Sequence, residues 1–121
     1  MTEFLLVMVA GGLGAAARFV VDSCFAPLNR HFPIGTLVVN VLGSFALGVV
    51  MGMGAKHTIM PTEVTVLGVG FCGGFTTFST AALDALRLFV AGRSRAFSVY
   101  WLLGFVMCVV AGAIGWVIGA V

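Results

Sequence analysis

The chain alternates long apolar stretches with short polar punctuation, and that rhythm predicts its elements. The first stretch runs from about Phe4 to Phe25, with Arg18 and Asp22 in its second half. The second runs from about Ile34, just after Pro33, to Ala55, just before Lys56-His57. The third starts near Pro61-Thr62-Glu63, an N-cap and acidic first turn, and reaches about Val90. The fourth covers about Ala96 to Val121. Each supplies the ~20 largely apolar residues that a membrane helix needs, and each is too long and too uniformly apolar for a strand. The expected fold is therefore an all-α membrane protein, a single domain over residues 1–121 with spans near 4–25, 34–55, 63–90 and 96–121.

Composition agrees. Of 121 residues, 61% are hydrophobic and 8% charged, and the mean hydropathy is +1.20. A typical soluble protein carries about 25% charged residues, so this chain has too few polar groups to cover a water-facing surface. A net charge of +2, scattered along the chain, gives no nucleic-acid footprint. Cys24, Cys72 and Cys108 lack C-x-x-C spacing and read as small hydrophobes. The N-terminus, MTEFLLVMVAGG, carries an acid where a secretory signal wants positive charge. No nucleophile–base pair, metal-ligand cluster or cofactor loop is present, and His31 and His57 lie at the membrane edges, so an enzyme is not expected.

Four crossings put both termini and the 55–62 loop on one side, with Lys56 as its basic residue. The other side holds Arg30, Arg93 and Arg95, with Arg87 near the end of the third span. The positive-inside rule then places both termini outside the cytoplasm. Small residues mark the helix contacts, because lipid offers no hydrophobic drive between helices. Ser44, Gly48 and Gly52 recur at every fourth position of the second span, and the fourth has Gly104, Cys108, Gly112 and then Gly115 and Gly119. Gly11 and Ala15 do the same in the first, and this pattern reads as packing suited to an oligomer.

Polar residues inside the spans need partners there. Thr36, Asn40 and Ser44 share one face of the second span, and the Asn40 amide supplies two donors. Its reading is open between an interhelical hydrogen bond and a ligand contact. Gly14, Arg18 and Asp22 share a face of the first span. Arg18 reads either as half of a structural bridge to Asp22 or as a fixed positive charge that draws anions into a vestibule.

The third span carries GFCGGFTTFST at residues 70–80, in a run with no charge from Val64 to Leu83. Gly73-Gly74 weakens a helix, and Thr76, Thr77, Ser79 and Thr80 compete for backbone hydrogen bonds. A membrane helix tolerates a break only where the freed backbone is buried in protein or lines a wet cavity. A break at Gly73-Gly74 would free carbonyls near Gly73 and Thr76, and hard cations such as Na⁺ take oxygen ligands of that kind. The hydroxyls offer donors, and on a continuous helix Phe71, Phe75 and Phe78 would share one face, where ring edges can meet an anion. A nucleotide loop is excluded, since no lysine follows the glycines.

Three motifs together, GGLGAAARF (11–19), GTLVVNVLGSFALG (35–48) and GFCGGFTTFST (70–80), resemble the small bacterial fluoride channels of the Fluc/CrcB family. The likeness covers essentially the whole chain. It implies an antiparallel, dual-topology dimer of four-span subunits in the bacterial cell membrane, with two fluoride pores along the interface and a central structural Na⁺. Carried onto this chain, the Na⁺ ligands are the carbonyls of Gly73 and Thr76. The pore-lining set is Asn40, Phe78, Ser79, Thr80 and Tyr100, with Arg18 at the vestibule. The implied role is passive fluoride export, protecting the cell from fluoride that enters as HF.

The chain departs from that family's pattern in three respects. The motif usually continues T-T-F-S-T-F, and here the last position is Ala81; the fourth span has Gly104 and Cys108 where pore serines are expected. The loop charges are also split about four to one, whereas subunits that insert both ways tend to be balanced. A homodimer is the expected assembly, and a hetero-pair with an oppositely inserted homologue, one pore being degenerate, is its alternative. A small multidrug-type transporter has a similar length and span count but needs a carboxylate deep in a span, and VAGGLGAAA at the first span's centre holds none. A purely structural subunit leaves Asn40 and Arg18 unexplained.

Overall fold

The computed structural model describes residues 1–29 and 31–121; Arg30, one of the charges counted above, lies outside the described residues. Helix α1 spans Thr2–Phe25 and runs into a single tight turn at Ala26–Leu28. Helix α2, Ile34–Ala55, begins directly after Pro33, whose missing N–H costs nothing at a helix start. Helix α3, residues 61–75, opens at Pro61–Val64, widens into π-helical turns over Thr65–Cys72 and closes with Gly73–Phe75. Helix α4, Phe78–Val90, completes the third crossing, and α5, Ser94–Gly119, makes the fourth. All four crossings are long and apolar enough to span a membrane.

The helix ends follow local chemistry. The Glu63 carboxylate accepts from the Met60 N–H at 2.8 Å, satisfying a free donor at the start of α3 as its acidic first turn predicts. At the end of α4, Gly92 takes φ 73°, which lets the Arg93 N–H reach back to the Leu88 carbonyl at 3.0 Å.

The bundle is assembled from two glycine-seamed pairs, α1 with α3 and α2 with α5. A Cβ on Gly14 would strike the Phe71 carbonyl, and one on Gly74 would strike the Gly11 carbonyl. In the other pair, a Cβ on Gly48 would strike the Gly112 carbonyl and one on Gly115 the Phe45 carbonyl. Backbone lies against backbone in both seams. The small-residue stripes that suggested oligomer contacts are thus largely spent inside one subunit. Ser44, Gly104 and Cys108 are the exception, and they line an open groove.

Near the Arg87 end, Ala81, Ala85 and Leu88 of α4 pack on Tyr100 of α5, and Phe32 meets the Tyr100 ring edge-on at 5.5 Å. Large apolar side chains such as Leu13 and Phe19 on α1 and Leu102, Phe105 and Val117 on α5 stay exposed, as surfaces bathed in hydrocarbon do.

Candidate functional site

The third span is broken, and the break falls two residues past the glycine pair. Gly73 and Gly74 remain helical, whereas Thr76 (φ −79°, ψ 161°) and Thr77 (φ −149°, ψ 122°) are extended. The displacement has a packing cause. Gly74 is small because α1 presses its backbone there, so the helix must hold its course through that contact.

A break at membrane depth exposes backbone groups, and α2 supplies their replacement partner. The Asn40 amide nitrogen donates to the Thr77 carbonyl at 2.9 Å, and the Thr77 N–H donates to Asn40 Oδ1 at 2.8 Å. The side-chain amide imitates a peptide and splices the broken strand to α2. In a continuous helix the Thr77 N–H would pair with the Gly73 carbonyl, so the splice also releases that carbonyl. The Thr76 carbonyl accepts from the Arg18 guanidinium at 3.3 Å, and no Arg18–Asp22 ion pair forms among the described residues. Of the two readings of Arg18, the bridge to Asp22 is therefore not realised.

Below the break, Thr77 caps α4. Its hydroxyl accepts from the Thr80 N–H at 3.2 Å and donates to the Thr80 hydroxyl at 3.0 Å, with the Ser79 hydroxyl 3.4 Å away. Thr77 holds both the splice and the cap, yet it was one unremarked hydroxyl among four in the sequence. The signal for it was there, since a threonine just before an apolar run reads as an N-cap.

The two extended residues also reset the helical phase. Phe71 and Phe75 stack at 6.0 Å as their spacing predicts, but Phe78 leaves that face and leans on Trp101 of α5, with ring centroids 6.0 Å apart. The single phenylalanine face expected of a continuous helix is therefore not formed. Phe78 is 76% exposed and stands at the rim of a groove of about 380 Å³ between α2, α4 and α5. Asn40, Ser44, Thr77, Tyr100 and Cys108 also line it. Ala81 forms part of its wall, buried against Tyr100, so the groove runs past the place where a second ring was expected.

Beyond Thr80 lie two polar chambers of about 400 and 230 Å³. The Thr36 hydroxyl donates to Asp84 Oδ2 at 2.7 Å, and Arg87 pairs with Asp84 Oδ1 at 3.2 Å. Asp84 is thus a buried carboxylate with both oxygens engaged, which sequence reading missed because its partners lie 48 residues away and one turn on. Arg93 caps this end by donating to the His31 carbonyl. The arrangement sets neutral polar groups of Asn40, Thr77, Ser79, Thr80 and Thr36 near one another, with the Thr77 and Thr36 hydroxyls already donating to Thr80 and Asp84 and with Arg18 beside the break. Among the described residues, no cluster of His, Cys, Asp or Glu is placed to hold a metal ion.

A family model described as "CrcB-like protein, Camphor Resistance (CrcB)" matches residues 5–116. The chain is 47% identical, over 76% of its own length and 68% of the relative's, to the fluoride-specific ion channel FluC 1 of Leifsonia xyli subsp. xyli. It is 39% identical, over 96% of both chains, to the fluoride-specific ion channel FluC 2 of Cutibacterium acnes. A third relative, the fluoride-specific ion channel FluC of Serratia proteamaculans, is 36% identical over 94% of this chain and 87% of its own.

Proposed function

We propose, from the premise that this chain belongs to the CrcB family, that it is a fluoride-selective channel of the membrane, passing the ion passively down its gradient. The observation that carries the reading is the Asn40 splice at the broken third span, which sets a line of neutral donors beside Phe78 at membrane depth. Fluoride is small and strongly hydrated, so a pore must replace its water without holding it. The second N–H of the Asn40 amide, the Ser79 and Thr80 hydroxyls and a ring edge do this, where a ring of arginines would trap the ion. Arg18 stays to one side as the attracting charge. The family relatives are ion channels, so no enzymatic step is assigned.

Two finer statements belong to the same proposal. The active unit is an antiparallel dimer, because the groove past Ala81 and Phe78 is open on one side in a single subunit and a second copy would close it. A structural Na⁺ sits where the two broken spans meet. The Gly73 carbonyl, released by the splice, suits a hard cation. The Thr76 carbonyl suits it once Arg18 turns away, since a guanidinium and a cation compete for that oxygen.

The purified protein, reconstituted alone in liposomes, is expected to release fluoride but not chloride, as read by ion-selective electrodes. Failure to release fluoride would overturn the channel reading, and release from the lone protein removes any need for a second homologue. Exchanging Na⁺ for N-methylglucamine on both sides is expected to lower both the melting temperature and the flux. Identical behaviour without Na⁺ would sink the cation assignment and leave the channel standing.

A further inference from the structure

Asp22 lines both polar chambers, and Thr36 and Thr80 are the other residues common to the two. The carboxylate therefore stands in the wall between them. Its Oδ1 is buried and has no hydrogen-bond partner among the described residues. That oxygen lies against Gly35 at the start of α2, where a Cβ would collide with it. A carboxylate oxygen stripped of water without a replacement donor is costly to keep, which marks it as more than a packing residue.

Of the other described charges at this end, Arg18, Asp84, Arg87 and Arg93 are already engaged. Arg18, one turn earlier on α1, gives its guanidinium to the Thr76 carbonyl rather than to Asp22. Asp84 is tied to Thr36 and Arg87, and Arg93 to the His31 carbonyl. Arg18 and Asp22 thus face one chamber as separate opposite charges. An anion crossing it meets an attraction and a repulsion that largely cancel.

We propose that Asp22 limits the fluoride throughput of this channel: its carboxylate, without an ion pair among the described residues and in the wall shared by the two chambers, offsets the pull of Arg18 on the passing anion. The proposal rests on the fluoride reading above and deepens it by naming a residue that sets how much ion the path admits.

Single-channel recording in planar bilayers tests it, because HF carries no current and leaves the signal clean. Asp22→Asn is expected to raise fluoride conductance about threefold or more, and the gain should shrink at high ionic strength, where charges are screened. Asp22→Glu keeps the charge in a longer side chain and is expected to stay near the unaltered level. A merely structural carboxylate predicts the reverse, with Glu disruptive and Asn harmless. Conductance of Asp22→Asn at or below the unaltered level, or a gain shared equally by Asp22→Glu, overturns the proposal. Should the amide variant fail to fold, Asp22→Ser removes the same charge with a smaller side chain and is judged by the same criteria. No current from the unaltered protein overturns the channel reading and this inference together, whereas a current indifferent to the charge at residue 22 overturns the inference alone.

Discussion

Asn40→Ala is expected to cut fluoride efflux from proteoliposomes by about two orders of magnitude and to lower the melting temperature, because two backbone groups of a buried residue lose their partner at once. Thr77 is only 9% exposed, so neither its N–H nor its carbonyl finds bulk water when the amide is removed. Each stranded group costs about 1–3 kcal/mol in a dry setting, although hydrogen bonds between membrane helices average less, which puts the sum at about 2–4 kcal/mol. The loss also strikes the path directly, since the splice fixes the strand that leads into the Thr77–Ser79–Thr80 hydroxyl cluster. Asn40→Asp separates the two roles. It keeps an acceptor for the Thr77 N–H, loses the donor to the Thr77 carbonyl and adds a negative charge, so it should fold better than Asn40→Ala while conducting no better. Wild-type flux from Asn40→Ala would refute the pore assignment of this residue.

The adjacent glycines of the third span are expected to behave oppositely. In Gly74→Ala the new methyl meets the Gly11 carbonyl closer than any van der Waals contact allows, and Gly11 Cα stands at 2.9 Å. Those are backbone atoms on α1, which cannot rotate away as a side chain would. Overpacking of this kind costs about 1–3 kcal/mol where side chains yield and more where only backbone can, so loss of folded protein is the expected outcome. Gly73 is exposed, and its nearest neighbour to a new methyl is the Gly68 carbonyl at an unstrained 3.9 Å. Gly73→Ala should therefore fold, with about 1 kcal/mol of helix preference in its favour. Size-exclusion profiles and melting temperatures in detergent decide it. Equal tolerance of both alanines would show that the α1–α3 seam is looser than described. A Gly73→Ala protein that folds as a monomer but fails to dimerise would place Gly73 against the second copy.

Several parts of the site were legible in the sequence because they depend on residue type and local spacing. Asn40 stood out as an amide without an apolar excuse in a membrane span, and the hydroxyls of TTFST announced a local interruption. The direction of Phe78 was not legible. Helical spacing put it with Phe71 and Phe75, and two extended residues were enough to turn it onto Trp101. Asp84 was hidden for a different reason. Nothing in its local spacing shows that Thr36, far away in the chain, comes within 2.7 Å.

What the sequence determined by itself is the solvent and the count: hydropathy over runs of about 20 residues dictates four membrane helices, since length and apolarity are properties of a segment alone. It also determined the family. Only the tertiary structure decided where the third helix parts. Two glycines mark the weakest helical positions, but weakness does not choose the site of rupture. Gly74 is held in the helix by the backbone of Gly11, and the chain opens instead at Thr76 and Thr77, where Asn40 of another helix can receive the freed groups. A break in hydrocarbon forms where a partner waits, and that partner is a fact of packing rather than of local propensity.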